Sequence, residues 1–484
     1  MLRPRAPPPA PERPPRAPPP RPRPAPRRPG PRSASERGLG VRLPHRPPQC
    51  YNPSMNNTPE SARLYTYPGG LQVVVEPMPH VYSVSLGCIV SLGSGHETHD
   101  DAGVAHFIEH MLFKGSEAYP TPKLLSDAIE GTGGVLDAYT GFESTVYYAK
   151  VAYNHFDRAL AVLADMLIRP RLDPADIEKE RRVIIEELRQ TADTPSDLVH
   201  QLLDAAAWGD QPLGRDIAGD EASVAAMHTA QVAANWRRGY TQGNVIVTIA
   251  GRVDPDAAAA AVADALAPLP AGAPLPFLPS AAPTVGPTLT LRNERSEQSN
   301  FCLGFAGISE LDPDRRALLA FDTVMGGTMS SRLFQAIRED RALAYNIGSS
   351  SREHHDTGRW TVYGSVEPKR LVECVRVVFD ELRRVRAEGI SADELEQVKE
   401  QVRGGMLLSL EDSWSVASRN GSHQQRYGRV IPVAQVVAEV EAITRDDVLR
   451  VARRVLNDAT MHLAVIGPHR SERELNGLLK LGVQ

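Results

Sequence analysis

The chain repeats its own pattern, and the repeat limits it to folds that can be built twice. Strand-like residues 71–76 and 85–90 open a segment that closes on 244–251, and residues 289–294 and 301–306 open another that closes on 461–467. From Gly87 to Gly251 is 164 residues, and from Gly304 to Gly467 is 163. Long stretches of helical periodicity lie between these ends. The pattern predicts an α+β protein of two homologous, α/β sandwich-like domains at 55–267 and 288–484, joined by a proline-rich linker over 268–287.

Residues 1–54 stand outside the repeat. The first 50 residues hold 18 of the 41 prolines, with 12 Arg and 2 Glu, so they carry +10 and leave −15 for the rest of a chain whose net charge is −5. No core can form from such a composition, and we read residues 1–54 as a disordered Pro/Arg-rich tail. It has neither the apolar stretch of a secretory signal nor the amphipathic helix of a transit peptide, and Met55 is the expected true start. Only this tail favours nucleic acid as a partner, and the acidic remainder argues against it. No apolar run approaches the ~20 residues of a spanning helix, so no membrane segment is expected. Cys50, Cys88, Cys302 and Cys374 are scattered and form no CxxC pair, which excludes a disulfide framework and a cysteine zinc site. A reducing compartment follows, the cytoplasm ahead of the mitochondrial matrix.

Chemistry concentrates at His106-Phe107-Ile108-Glu109-His110. On a helix, His106 and His110 stack four apart, and Glu109 lies on nearly the same face. Neutral imidazoles can hold a cation there, an open coordination position can hold water, and a carboxylate outside the ligand set can take the water's proton. The order is HxxEH, the inverse of HExxH. The bland reading is a surface helix that happens to carry two histidines.

A third ligand is offered by a helix entered through Asp173-Pro174. Glu180 and Glu187 lie two turns apart on one of its faces, with Val183 and Ile184 between them. A buried carboxylate is costly unless paired or bound to metal, which gives Glu187 a ligand role and Glu180 a supporting one. Glu186 points elsewhere, into solvent. The alternative is a plain core helix with acids at its rim.

The run 103–116 around the pentapeptide, the later Gly133-Gly134-Val135-Leu136-Asp137-Ala138-Tyr139-Thr140, and Glu187 placed 77 residues past His110 resemble the pitrilysin and mitochondrial processing peptidase family, in its short two-domain form. The resemblance covers nearly everything after residue 60. It implies that His106, His110 and Glu187 bind one Zn²⁺ per chain, that Glu109 is the general base and that Glu180 supports the site. In the second half, residues 326–334 are followed by Arg338 and Tyr345, seven apart, which match the family's Arg and Tyr that contact the scissile peptide and its oxyanion. Two departures concern substrate rather than chemistry: Asp137 stands where many relatives carry Asn, and where many have an Arg near Glu97 this chain reads Gly93-Ser94-Gly95-His96-Glu97.

The second-half counterpart of the metal helix, residues 318–325, has no ligand set. Zinc therefore belongs to the first half and substrate binding to the second. A strand over 135–140 beside the metal helix could add an extended, unfolded peptide by main-chain pairing. Relatives of this length pair with a second subunit, so a homodimer or a heterodimer with a related chain is expected, with Arg338 and Tyr345 acting across it. The function these readings predict is a zinc metalloendopeptidase. The competing reading is a catalytically silent core subunit of a larger complex, which would be expected to have lost ligands or base. His₂Glu donors would also accept cobalt or manganese.

Overall fold

The computed structural model describes residues 62–276 and 278–482, so the tail expected at 1–54, and Cys50 within it, lie outside the described residues. Strands β1 (Arg63–Thr66), β2 (Gln72–Pro77), β3 (Ser83–Val90), β4 (Val135–Thr140), β5 (Thr145–Ala152) and β6 (Val245–Gly251) form one sheet in the order β1-β2-β6-β3-β5-β4. Strands β7 (Thr288–Asn293), β8 (Ser299–Ala306), β9 (Ala344–Glu353), β10 (Gly358–Val366) and β11 (His462–Gly467) form another in the order β7-β11-β8-β10-β9. With β1 set aside, the second order reproduces the first strand for strand. Each sheet has a single parallel pair at the same place, β2 with β6 and β7 with β11, and is otherwise antiparallel.

The register qualifies the glycine spacing. Gly87 faces Thr248, three residues before Gly251, whereas Gly304 faces His462, five before Gly467. The near-equal intervals thus join positions two residues apart in the repeat. The duplication holds in topology, not in those glycines.

The helices of the first half begin with α1 (Val104–Leu112), α2 (Pro122–Glu130), α3 (Phe156–Ile168), α4 (Pro174–Ala192) and α5 (Pro195–Trp208), and three more follow, the last ending at Leu266. Val104, Phe107, Ile108, Met111 and Leu112 of α1 are fully buried in the same cluster as Leu86, Val90 and Tyr147 of the sheet. A separate cluster built on Phe321, Trp360 and Phe379 fills the second half.

β3, β6, β8 and β11 are buried along almost their whole length, so both faces of each sheet need a cover. One cover is exchanged between the halves. Helix α5 lies on β8 and β11, where Leu198, Val199 and Leu203 pack with Cys302, Ala464 and Ile466. The helix Ser413–Tyr427 lies on β3 and β6, where Val416 and Ala417 pack with Met78 and Ala250. Both contacts need a strand glycine, since a Cβ on Gly87 would stand 2.9 Å from the Trp414 ring and one on Gly304 2.9 Å from Leu203. Ser413 Oγ lies 2.9 Å from both Ser83 Oγ and Ser85 Oγ, and Trp414 stacks on Tyr148 at 4.0 Å.

No helix or strand occurs between Leu266 and Thr288 among the described residues. This connection is pinned along its course by Leu275 N–H to Asn244 Oδ1 (2.9 Å), Ala281 N–H to Gln211 Oε1 (2.9 Å) and Thr284 Oγ1 to the Ala206 carbonyl (2.6 Å). Strands β1 and β4 are the edges of the first sheet, and β7 and β9 those of the second. Among the described residues, no helix is long and apolar enough to cross a membrane.

Candidate metal centre

The centre is set by how α1 begins. Its N-cap, Gly103, has φ of 89° and no capping side chain, and a Cβ there would meet the Ala218 carbonyl oxygen at 2.3 Å. The buried carboxylate of Glu97 does the capping instead, accepting from Gly103 N–H (2.8 Å) and Ala105 N–H (2.7 Å). Burial pushes this carboxyl up to about 7, against those two hydrogen bonds. The apolar side of α1 faces the core and leaves His106, Glu109 and His110 on the remaining arc.

Helix α4 starts at Pro174 with Asp173 capping Ala175 N–H, and runs past α1. Each of His106, His110 and Glu187 offers one ligand atom within 4.8 Å of the other two. The two imidazole centroids are 4.6 Å apart. His110 Nε2 lies 3.5 Å from Glu187 Oε2, close to the roughly 3.4 Å edge of a tetrahedral zinc site with bonds of about 2.0–2.1 Å. His110 Nδ1 meets Glu180 Oε2 at 3.1 Å, and Lys114 Nζ meets the other oxygen of Glu180 at 2.6 Å. Glu180 is buried and Glu187 is not, having 46% of its side chain exposed. Between them Ile184 is buried, but Val183 is 43% exposed, so the apolar stripe expected through Val183 does not form. Adjacent residues are about 100° apart around a helix, so with Ile184 turned to the core Val183 falls on the solvent side. Glu186 is solvated, with 77% of its side chain exposed.

The electrostatics suit a cation. Burial, with the charge of His110, pushes His106 down to about 4 and keeps it in the neutral form that ligates. Its buried Nδ1 has no hydrogen-bond partner. Burial would lower His110 too, but the hydrogen bond to Glu180 and the charges of Glu187, Glu180 and Glu109 raise it. Glu180 is held low despite its burial by its hydrogen bonds to His110 and Lys114. Three carboxylates against one ammonium leave excess negative charge around His110, and the His₂Glu donor set is one zinc accepts. The residues present therefore fit a zinc ion.

Glu109 is oriented by Thr140, whose hydroxyl donates to Oε2 at 2.5 Å from the end of β4. Burial raises this carboxyl, Asp137 and Glu187 add to the rise, and Thr140 and His110 oppose it. A more basic carboxylate is the better proton acceptor near neutral pH. Thr140, Lys114 and Glu97 are the site residues to which sequence reasoning gave no role. Lys114 and Thr140 sit inside the motifs already singled out, but their partners are defined only by the packing of α1 against α4 and β4.

Arg338 and Tyr345 lie in the second half and meet each other. The guanidinium stacks over the Tyr345 ring at 4.4 Å and over Phe334 at 4.8 Å, and its Nη1 donates to the Tyr345 carbonyl at 2.9 Å. Tyr345 is 77% exposed, at the start of edge strand β9. None of these contacts joins the pair to His106, His110 or Glu187. The equivalent of α1 in the second half, helix Arg315–Gly326, carries an inward acid, Asp322, which accepts from Ser349 Oγ (2.6 Å) and Trp360 Nε1 (2.7 Å). Its carboxylate is consumed internally.

Residues 72–221 match the family described as insulinase (peptidase family M16), and residues 228–402 match the peptidase M16 inactive domain. A protein from Mycobacterium tuberculosis described as an uncharacterized zinc protease is 37% identical over 418 residues, which is 85% of this chain and 94% of that one. The uncharacterized zinc protease YmxG of Bacillus subtilis is 33% identical over 406 residues, 84% of this chain and 98% of its own. The crystal structure of a peptidase M16 inactive domain from Pseudomonas fluorescens superposes with a TM-score of 0.79 at 20% identity, covering 85% of this chain and 98% of that chain. A protease from Helicobacter pylori gives 0.78 at 19% identity, covering 84% and 99%. The chain belongs to the insulinase family of peptidases, M16.

Proposed function

We propose that the protein is a zinc metalloendopeptidase that cuts unstructured peptides, with His106, His110 and Glu187 as the ligands of one zinc ion. The observation that carries the reading is the convergence of those three donors from α1 and α4 beside Glu109. Zinc, when bound, supplies Lewis acidity toward water and toward the scissile carbonyl. Glu109 takes the proton of the attacking water and delivers it to the leaving amine, and its raised basicity serves the first step. Glu180 orients His110 and fixes which of its nitrogens is free. Thr140 holds Glu109 on the side of the substrate strand.

Edge strand β4 exposes Val135, Asp137 and Tyr139 and is the expected partner of an extended peptide. A folded segment cannot straighten to pair with it, which restricts substrates to unfolded chain. Arg338 and Tyr345 act on the substrate from a second subunit, either a copy of this chain or a relative. Their separation from the His-His-Glu group in the contacts of a single chain supports that arrangement. Mixing Glu109→Gln and Arg338→Ala subunits should then restore activity, and no recovery despite proven subunit exchange would refute action across the dimer. The free, buried Cys88, Cys302 and Cys374 fit a cytoplasmic setting. The enzyme reading itself is tested by incubating zinc-loaded protein with a mixed peptide set, with and without a chelator. Chelator-sensitive cleavage at internal bonds is expected, and cleavage that survives removal of the metal would contradict it.

A further inference from the structure

A cavity of about 540 Å³ lies between the β4–β5 turn, at Gly141 and Phe142, and the end of the β9–β10 hairpin, at Arg352 and His354. Helix α5 and the segment after it bound its third side through His200, Asp204 and Trp208. Its volume is that of a small-molecule site. Its lining has two characters.

One end is cationic. Arg352 and Arg359 stand directly opposite each other in the β9–β10 ladder, a like-charge pairing that is unfavourable unless answered. Arg359 is only 6% exposed, and Asp204 is its single ion-pair partner among the described residues. The guanidinium Nε is buried without a hydrogen-bond partner, and so is Ser94 Oγ at the opposite wall. Burial pushes His200 and His354 down to about 4 each, with Arg359 and Arg352 adding to the first against Asp197, and Arg352 and Arg426 adding to the second against Asp356. Both imidazoles are therefore neutral. Asp216 on the rim is already occupied by Gln201 and by Ala218 N–H (2.7 Å). Asp197 also lines this end, yet Arg352 has no ion-pair partner among the described residues and Arg359 has only Asp204.

The other end is apolar, formed by Phe142, Trp208, Leu213 and Ile217. A ligand that satisfies both ends carries a carboxylate next to an apolar group. We propose that this cavity binds the C-terminal carboxylate of a peptide, with the terminal residue's apolar side chain on the Phe142–Trp208 wall and the carboxylate between Arg352 and Arg359. This rests on the reading of the protein as a peptidase, which makes free peptide ends the anions it generates.

The cavity abuts both supports of the metal centre. Gly141 follows Thr140, which holds Glu109, and Ser94 lies in the loop that ends at Glu97, which caps α1. Arg215, also in the lining, donates to the Glu97 carbonyl at 3.0 Å. A peptide end seated here touches the loop and the turn that position the base.

The test is a calorimetric titration of the full chain carrying Glu109→Gln with acetyl-Ala-Phe as free acid, the same peptide as C-terminal amide, and acetate. The free acid should bind at least ~10-fold more tightly than either the amide or acetate, as a charge-assisted arginine contact combined with apolar burial implies. Arg352→Gln, a change at an exposed position, should bring acid and amide within about twofold, and Arg359→Gln should do the same if it folds. Equal binding of acid and amide would overturn the proposal. So would a preference for the acid that survives Arg352→Gln, because the carboxylate would then be bound elsewhere, as at the zinc. Acetate binding as tightly as the peptide would remove the apolar wall from the account and overturn it too. Because the titration needs no turnover, a wild type that fails to cleave peptides would sink the enzyme reading and leave this result standing.

Discussion

The two halves share one strand order and differ in what they do with buried charge. In the first half, His110, Glu180, Glu109 and Glu187 gather around a point with more negative than positive charge, and one imidazole nitrogen of His106 has no partner. In the second, Asp322 is closed off by Ser349 and Trp360, and Arg332 is paired with Glu394 through two hydrogen bonds of 2.6 and 2.8 Å. At the metal helix and its counterpart, the same scaffold thus holds an unbalanced cluster in one copy and a balanced one in the other. Imbalance is what a cation requires, and balance is what a supporting domain requires.

The sharpest way to break this contrast is to remove a ligand. His110→Ala should take the zinc content from one ion per chain to none and reduce peptide cleavage to background, as read by elemental analysis and mass spectrometry. Residual stoichiometric zinc would mean that the second half, or some other group, also binds it. Next in size is the exchange of helices. Leu203→Ala, which removes a fully buried side chain of α5 from the face of β8, should cost about 2–5 kcal/mol in urea unfolding. A change near zero would show that the first half's helix is not needed to cover the second half's sheet.

Glu180→Gln should leave the three donors in place and weaken zinc binding by about 10–100-fold in competition with a chelating dye, the usual effect of loosening the partner of a metal-bound histidine. The smallest effect belongs to the balanced side. Burial alone would raise Glu394, yet its hydrogen bonds from Arg332 and Ser391 N–H, with the charge of Arg332, hold it at about 2. Because its folded value is depressed, its contribution to stability is present above the unfolded value of about 4.3 and is lost as pH falls toward 2. Arg332→Gln should flatten the pH dependence of unfolding in that window, and an unchanged acid profile would show that the pair contributes nothing.

Much of this was legible in the sequence. The repeat was visible because central strands written as continuous apolar runs return in the same order, and the metal helix was visible because helical spacing alone aligns His106, Glu109 and His110. The exchange of helices was not. An amphipathic stretch such as α5 states that one face is buried but not which sheet buries it. The supports of the site were hidden for a related reason. Glu97 caps a helix that starts seven residues later, in place of the residue at the N-cap itself, and Lys114 and Thr140 acquire partners only when α4 and β4 are brought beside α1. The glycine spacing shows the opposite error, a numerical match that the hydrogen-bond register does not share.

The central claim is that the first half performs hydrolysis with Glu109 as its base. The most direct test is cleavage of a mixed unstructured peptide set by zinc-loaded wild type beside Glu109→Gln, with zinc quantified in both. The account predicts equal zinc and a rate loss of about 10²–10⁴ in the variant, the usual contribution of a general base. Equal cleavage by the two proteins at equal zinc would contradict it.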